Sequence, residues 1–247
     1  MRFDIDRLQT YYGSPMGRMS QEMLARRVAA LWPSASGLDV LGIGHAEALL
    51  EPYRATARRV ISAAPAEQGT ERWPEAGKSL TTLVEDERLP FPDALFDRII
   101  VCHALEEAES PQRLLREIWR VAAPEARILI IVAHRRGLWA RAESTPFGHG
   151  RPYTRSQLNR LLEDAMLAPQ ASARALYAPP IGWGIITSAG DAWEKIGRFA
   201  WSGFGGVLMV EALKRLYIEP GKPARGRRVV KAPQKQSSSI RAEKKRS

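Results

Sequence analysis

Residues 84–131 read VEDERLPFPDALFDRIIVCHALEEAESPQRLLREIWRVAAPEARILII. Asp97–Cys102 (DRIIVC) is apolar through its centre and has the length of a strand buried on both faces. Residues 110–122 (SPQRLLREIWRVA) predict a helix. Ser110 is a good N-cap, Pro111 suits the first helical position, and Leu114, Leu115, Ile118, Trp119 and Val121 form a buried side. Arg127–Ala133 (RILIIVA) is a second apolar strand. An apolar strand, a capped helix and another apolar strand are what a parallel sheet with crossover helices requires.

The same alternation extends outward. Upstream, Gly37–Leu41, Val60–Ala64 and Leu80–Val84 read as strands. Residues 46–58 read as a helix kinked or broken at Pro52, and 65–79 as a loop or irregular helix. Residues 18–31 place Met19, Met23, Val28 and Leu31 near helical spacing, and Trp32-Pro33 stops that helix. Downstream, Thr154–Met166 is a capped helix. Phe204–Leu213 reads as a late strand, with an all-helical reading as its alternative.

Charge is unevenly placed. The net charge is +10 over 247 residues, but ten basic residues and one acid lie between Lys222 and Ser247. That segment carries +9, and the other 221 residues carry +1. A terminal basic tail predicts disorder and weak, salt-sensitive contact with any polyanion rather than a built nucleic-acid interface. Cys102 is the one cysteine, so no disulfide forms within the chain. MRFDIDRLQTYYG has acids and no apolar core, unlike a signal peptide, and no apolar run is long enough to span a bilayer. A cytoplasmic location follows as the expectation.

Glycines stand at the end of the first strand, in Gly42-Ile43-Gly44-His45-Ala46. In an open parallel sheet, ligands bind beyond the carboxyl ends of the strands. Leu89-Pro90-Phe91-Pro92-Asp93, Phe96-Asp97, His103, Leu115-Arg116-Glu117 and Arg120-Val121 follow in order. This order and spacing resembles the class I S-adenosylmethionine-dependent methyltransferases, in particular the type 11 subgroup. The resemblance covers about residues 37–135 in motifs and the body more loosely.

It implies a Rossmann-like three-layer α/β/α sandwich with a mostly parallel seven-stranded sheet and an antiparallel late strand. It implies S-adenosylmethionine as cofactor. Gly42, Ile43 and Gly44 would lie against its methionine part, and Ala64 stands where relatives hold the ribose with an acid. Glu85 and Asp86 would meet the adenine, and Cys102 and His103 would wall the reactive methyl. The pattern also departs from the family. The acid two residues before the first glycine is Val40, with Asp39 one place earlier on the other face of a strand. The third glycine is Ala46, the ribose acid is absent, and Pro-Gly-Gly has become Pro124-Glu125-Ala126.

His103 is the candidate catalytic base, or else a polar residue that closes a loop. Glu106, Glu107 and Glu109 read as a solvated acidic edge, with capture of a basic substrate group as the alternative. Residues 133–153 interleave cations with aromatics, a pattern suited to an anionic or planar ligand or to a packed surface loop. From that loop Arg135, Trp139, Phe147, His149 and Arg151 are candidate substrate residues. Tyr11, before the first helix, joins them: Tyr11 or Tyr12 would fold over the cofactor or pack the arm to the body. The histidines have no metal-ligand spacing, so no metal is expected.

The expected organisation is an N-terminal helical arm over 1–36, a methyltransferase-like domain over 37–218 and a basic tail over 219–247. The expected function is methyl transfer to a small-molecule or protein acceptor. A catalytically inactive binding module of the same fold, with a protein partner, is the alternative.

Overall fold

The structure is a computed structural model that describes residues 3–180 and 205–215. Seven strands form one sheet in the order β3-β2-β1-β4-β5-β7-β6. They are β1 (Asp39–Gly44), β2 (Arg59–Pro65), β3 (Thr81–Val84), β4 (Phe96–Cys102), β5 (Ala122–Ala133), β6 (Leu167–Ala175) and β7 (Val207–Lys214). The pairs β1–β2, β1–β4, β2–β3 and β4–β5 are parallel. Only β7 runs against its neighbours β5 and β6. The late stretch is therefore a strand, and the fold is the expected Rossmann-like sandwich. The strand order reverses between β1 and β4, which places a ligand crevice at their carboxyl ends.

Alternate side chains of each strand enter two separate cores. Val40, Ile100, Leu129, Ile131 and Met209 face helices α1 (Ile5–Gly13), α2 (Pro15–Leu31) and α3 (Glu47–Leu50). Leu41, Ile43, Ile99, Val101 and Ile130 face α4 (Pro111–Val121) and α5 (Arg155–Asp164). Ser110 caps α4 by accepting from Arg113 N, and Thr154 caps α5 in a reciprocal box with Gln157.

The motif residues around Leu89 and Arg120 lock a loop. Arg120 donates to Leu89 O and Phe91 O, each at 2.8 Å, and pairs with Asp93 and Glu117. Leu89 N in turn donates to Glu117 at 2.8 Å. Arg120 thus satisfies the carbonyls of a segment that has no strand partner of its own.

Three expectations change. Residues 46–58 do not make a long helix: α3 is one turn and passes into a 3₁₀ turn at Glu51–Tyr53, where Pro52 lacks the donor needed to continue. The arm opens with α1, a second helix capped by Asp4, so Tyr11 lies inside a helix rather than before the first one. The sheet also has β6, an Ala-rich strand bearing Pro169 at an irregularity of its ladder. Pro124-Glu125-Ala126 lies within β5, and Glu125 sits at φ 60°, the left-handed conformation that suits glycine. The tail 219–247 lies outside the described residues.

Candidate cofactor and acceptor site

The glycines first serve the backbone. Gly44 has φ +83°, and a Cβ there would meet Cys102 O at 2.1 Å. At Gly42 a Cβ would meet Leu50 at 2.6 Å, so its absence lets α3 pack on β1. Ile43 points into the α4 core. Asp39 stands at the other end of β1, roughly 16 Å of strand away. It is buried and grips Arg58 through two bonds of 3.0 and 2.6 Å. That partner holds its carboxyl below the usual range. Asp39 is an anchor of the fold.

Beyond the glycine turn, α1 lies across the strand ends. Ile5 N donates to Gln68 O in the turn after β2. The ring of Tyr12 stacks on His45 at 4.9 Å between centroids, and its hydroxyl meets His103 Nε2 at 2.6 Å. Phe147 lies 4.7 Å from the His103 ring and 5.5 Å from Trp139. Tyr11 bonds Ser20 at 3.1 Å and stands edge-on to Phe147 at 6.5 Å. His103 itself has φ 53°, which turns the chain sharply where β4 ends.

Burial, then the neighbouring His45, lowers the His103 pKa to about 3. Burial holds the Tyr12 phenol well above its ordinary range and does the same to the Cys102 thiol. The Tyr12–His103 bond therefore joins two neutral groups near neutrality.

Two carboxylates line this region from below. Glu47, in the first turn of α3, accepts from Ser62 Oγ at 2.7 Å. Its other oxygen is buried, has no hydrogen-bond partner and lies 3.4 Å from His45 Nδ1. Glu106 is only 4% exposed. One oxygen accepts from Ala133 N at 3.1 Å and the other has no partner. Burial pushes its pKa up to about 8. Glu106 is thus no part of a solvated edge. Three acids within four residues read as a wet loop, and nothing local in the sequence marks the one that turns inward.

A cleft of about 270 Å³ opens between the ends of β2 and β3. Pro65, Ala66, Glu67, Val84, Glu85, Asp86, Glu87 and Glu109 line it. Ala64 is buried beside it in β2. Five carboxylates reach this cleft and no cation lines it, although Glu87 pairs with Arg113 outside. Phosphates would be repelled there, whereas ribose hydroxyls and an adenine amino group would find acceptors. The residues therefore fit an adenosine without phosphates. The orphaned oxygen of Glu47 suits an ammonium beside the glycine turn. The Tyr12 ring lies next to that position.

The six candidate substrate residues divide. Tyr11, Trp139 and Phe147 are buried around His103, and Trp139 Nε1 donates to Ala178 O at 2.7 Å. His149 packs on Phe3 at 4.7 Å and bonds Glu143 O. Arg135 and Arg151 stand apart, on an outer groove. His45 and Glu47 face this region without having been proposed for it from sequence, whereas Tyr12 was named there as the alternative to Tyr11, and Glu106 as part of the acidic loop. Among the described residues no group of three or more His, Cys, Asp or Glu could hold a metal, and no helix is long and apolar enough to cross a membrane.

Residues 38–130 match the family described as "Methyltransferase domain". No curated protein matches the chain. Among solved structures, it is similar to an S-adenosylmethionine-dependent methyltransferase of Thermotoga maritima described as a possible histamine N-methyltransferase. The two are 15% identical with a TM-score of 0.62, over 85% of this chain and 96% of that one. A putative methyltransferase of Haloferax volcanii, solved in complex with the Trm112 activator, is 15% identical with a TM-score of 0.60, over 85% and 99% of the two chains. A methyltransferase of Archaeoglobus fulgidus is 18% identical with a TM-score of 0.59, over 83% and 97%. These likenesses show the fold, and the family match implies S-adenosylmethionine as cofactor.

Proposed function

We propose that this chain, whose residues 38–130 match a methyltransferase domain, binds S-adenosylmethionine and transfers its methyl group to a small-molecule or protein acceptor. One juxtaposition carries the reading. The glycine turn and the Cys102–His103 corner meet at the switch point of the sheet, and the Glu85–Asp86 turn lines a cleft at the ends of β2 and β3 that suits an unphosphorylated adenosine.

In this reading Glu85 and Asp86 take the adenine, and Glu67 stands in for the ribose acid that Ala64 lacks. Glu47 takes the ammonium beside Gly42–Gly44. The bound cofactor supplies an electrophilic methyl on a sulfonium. The chain contributes alignment and the exclusion of water, through Phe147, Trp139 and the aromatic residues of α1. His103 acts as the hydrogen-bond partner of Tyr12 rather than as a base, since a pKa of about 3 leaves it little affinity for a proton near neutrality. A structure with S-adenosylhomocysteine tests this. Adenosine between Pro65 and Glu109 is expected, and a ligand seated elsewhere would overturn the assignment.

A second reading is favoured by Tyr12. Its ring lies between His45 and His103, next to the place the methionine part would take. If that contact is permanent, the domain is a binding module of the same fold that does not turn over. Failure of S-adenosylhomocysteine to bind both the wild type and Tyr12→Ala would select this reading.

A further inference from the structure

The carboxyl end of the sheet carries two openings of opposite charge. The acidic cleft lies toward β2 and β3. The other opening is a groove of about 390 Å³ where α4 and α5 begin. Arg135, Arg151, Tyr153, Gln112, Gln157 and Leu161 are among its lining, and no carboxylate is. Arg135 donates from Nε to Pro152 O at 3.1 Å, which fixes the plane of its guanidinium. Neither Arg135 nor Arg151 has a carboxylate partner among the described residues.

Two forked cations without carboxylate partners among the described residues, beside an aromatic ring and apolar walls, match an oxyanion on an apolar body. The positive ends of α4 and α5 add to that field. The groove also adjoins the site. Arg151 N donates to Glu106 O at 2.8 Å, and Tyr153 reaches Leu105 O at 3.4 Å. The loop that supplies Arg151 also supplies Phe147 against His103.

We infer that this groove binds the anionic end of the methyl acceptor, and that the acceptor is a small organic acid bearing a carboxylate or phosphate on an apolar body. Calling the ligand an acceptor rests on the methyltransferase reading; the anion site itself does not.

The test is a ligand-observed NMR titration of the full chain, without cofactor, using benzoate, phenyl phosphate, inorganic phosphate and benzamide. Benzoate and phenyl phosphate should bind, each at least tenfold tighter than benzamide, and binding should weaken with salt. Arg151→Gln alone should cost about tenfold with the melting temperature unchanged, and Arg135→Gln/Arg151→Gln should cost more. Arg151 is exposed and its side chain makes no hydrogen bond or ion pair among the described residues, so the single variant should fold normally.

Equal binding of benzamide and benzoate would overturn the proposal. So would retained affinity in the variants, or inorganic phosphate binding as tightly as phenyl phosphate. The two readings fail separately. Benzoate binding with no S-adenosylhomocysteine binding keeps the groove and removes methyl transfer. The reverse result removes the groove.

Discussion

The hydroxyl of Tyr12, in the first helix, lies 2.6 Å from Nε2 of His103, at the end of β4. This bond ties the N-terminal arm to the strand end that faces the reactive methyl in the proposed complex. Tyr12→Phe removes the bond and keeps the stacking on His45. It should cost about 1–3 kcal/mol, because a buried imidazole nitrogen loses its partner. Tyr12→Ala should cost about 3–5 kcal/mol. It should nevertheless bind S-adenosylhomocysteine more tightly than the wild type, since an arm that spends most of its time closed lowers the competent fraction. Urea unfolding and calorimetry of the two variants check both statements.

Buried ionisable groups should set a stability maximum near pH 6.5. Folded Glu106 keeps its proton up to about pH 8, whereas a free Glu releases it near its ordinary 4.5. The folded state binds the extra proton in that window, so Glu106 makes stability fall as pH rises from 4.5 to 8. His103, His45 and His134 have lowered pKa values, chiefly through burial, and the unfolded chain protonates them below the ordinary 6.5. They make stability fall as pH drops below 6.5. Three histidines outweigh one Glu below 6.5, and Glu106 acts alone from there to 8. The expected loss between pH 6.5 and 8 is on the order of 2 kcal/mol, and Glu106→Gln should abolish it. A urea midpoint that rises across that interval would contradict the assignment.

Arg120 should be the costliest surface-proximal residue of the 89–121 segment. It serves two carbonyls and two carboxylates at once. Arg120→Ala should destabilise by about 2–4 kcal/mol, and Arg120→Lys should recover little, since an ammonium cannot reproduce the planar fork. Chemical denaturation of the pair checks this, and a full recovery by Lys would show that charge alone matters.

Glu125 occupies a glycine conformation, with φ 60°. Glu125→Gly should be neutral or stabilise by up to about 1 kcal/mol, as relief of the left-handed strain competes with added freedom of the unfolded chain. Gly44→Ala should fail to fold, because its Cβ would lie within 2.1 Å of Cys102 O. Substitutions at Gly44 therefore report on the fold and cannot serve as probes of cofactor binding. Melting temperatures measure both.

The sheet was legible in the sequence because its parallel strands are buried on both faces and show as apolar runs, as in DRIIVC and RILIIVA. Strand β6 was not, because LAPQASARA has small residues and a proline in place of that signal. The break read at Pro52 in the 46–58 segment is there, but only one α-helical turn precedes it, ending at Leu50. Gly42, Gly44, Cys102 and His103 are close to one another as the resemblance implied, since strand ends at a switch point must converge. That Tyr11 or Tyr12 would cover that point was legible, but neither the choice of Tyr12 nor its partner was, since the bond joins residues 91 apart. The inward turn of Glu106 was hidden for the same reason, since its burial is set by β5 and not by its neighbours in sequence.

Calorimetric titration with S-adenosylhomocysteine, comparing the wild type with Glu85→Ala, tests the central claim most directly. Glu85 is exposed, so its loss should leave the fold intact. The account predicts saturable one-site binding by the wild type, weakened about tenfold or more in the variant by the loss of one bond to a charged group. No heat at millimolar ligand from folded wild-type protein, or equal affinity in the two proteins, would contradict it.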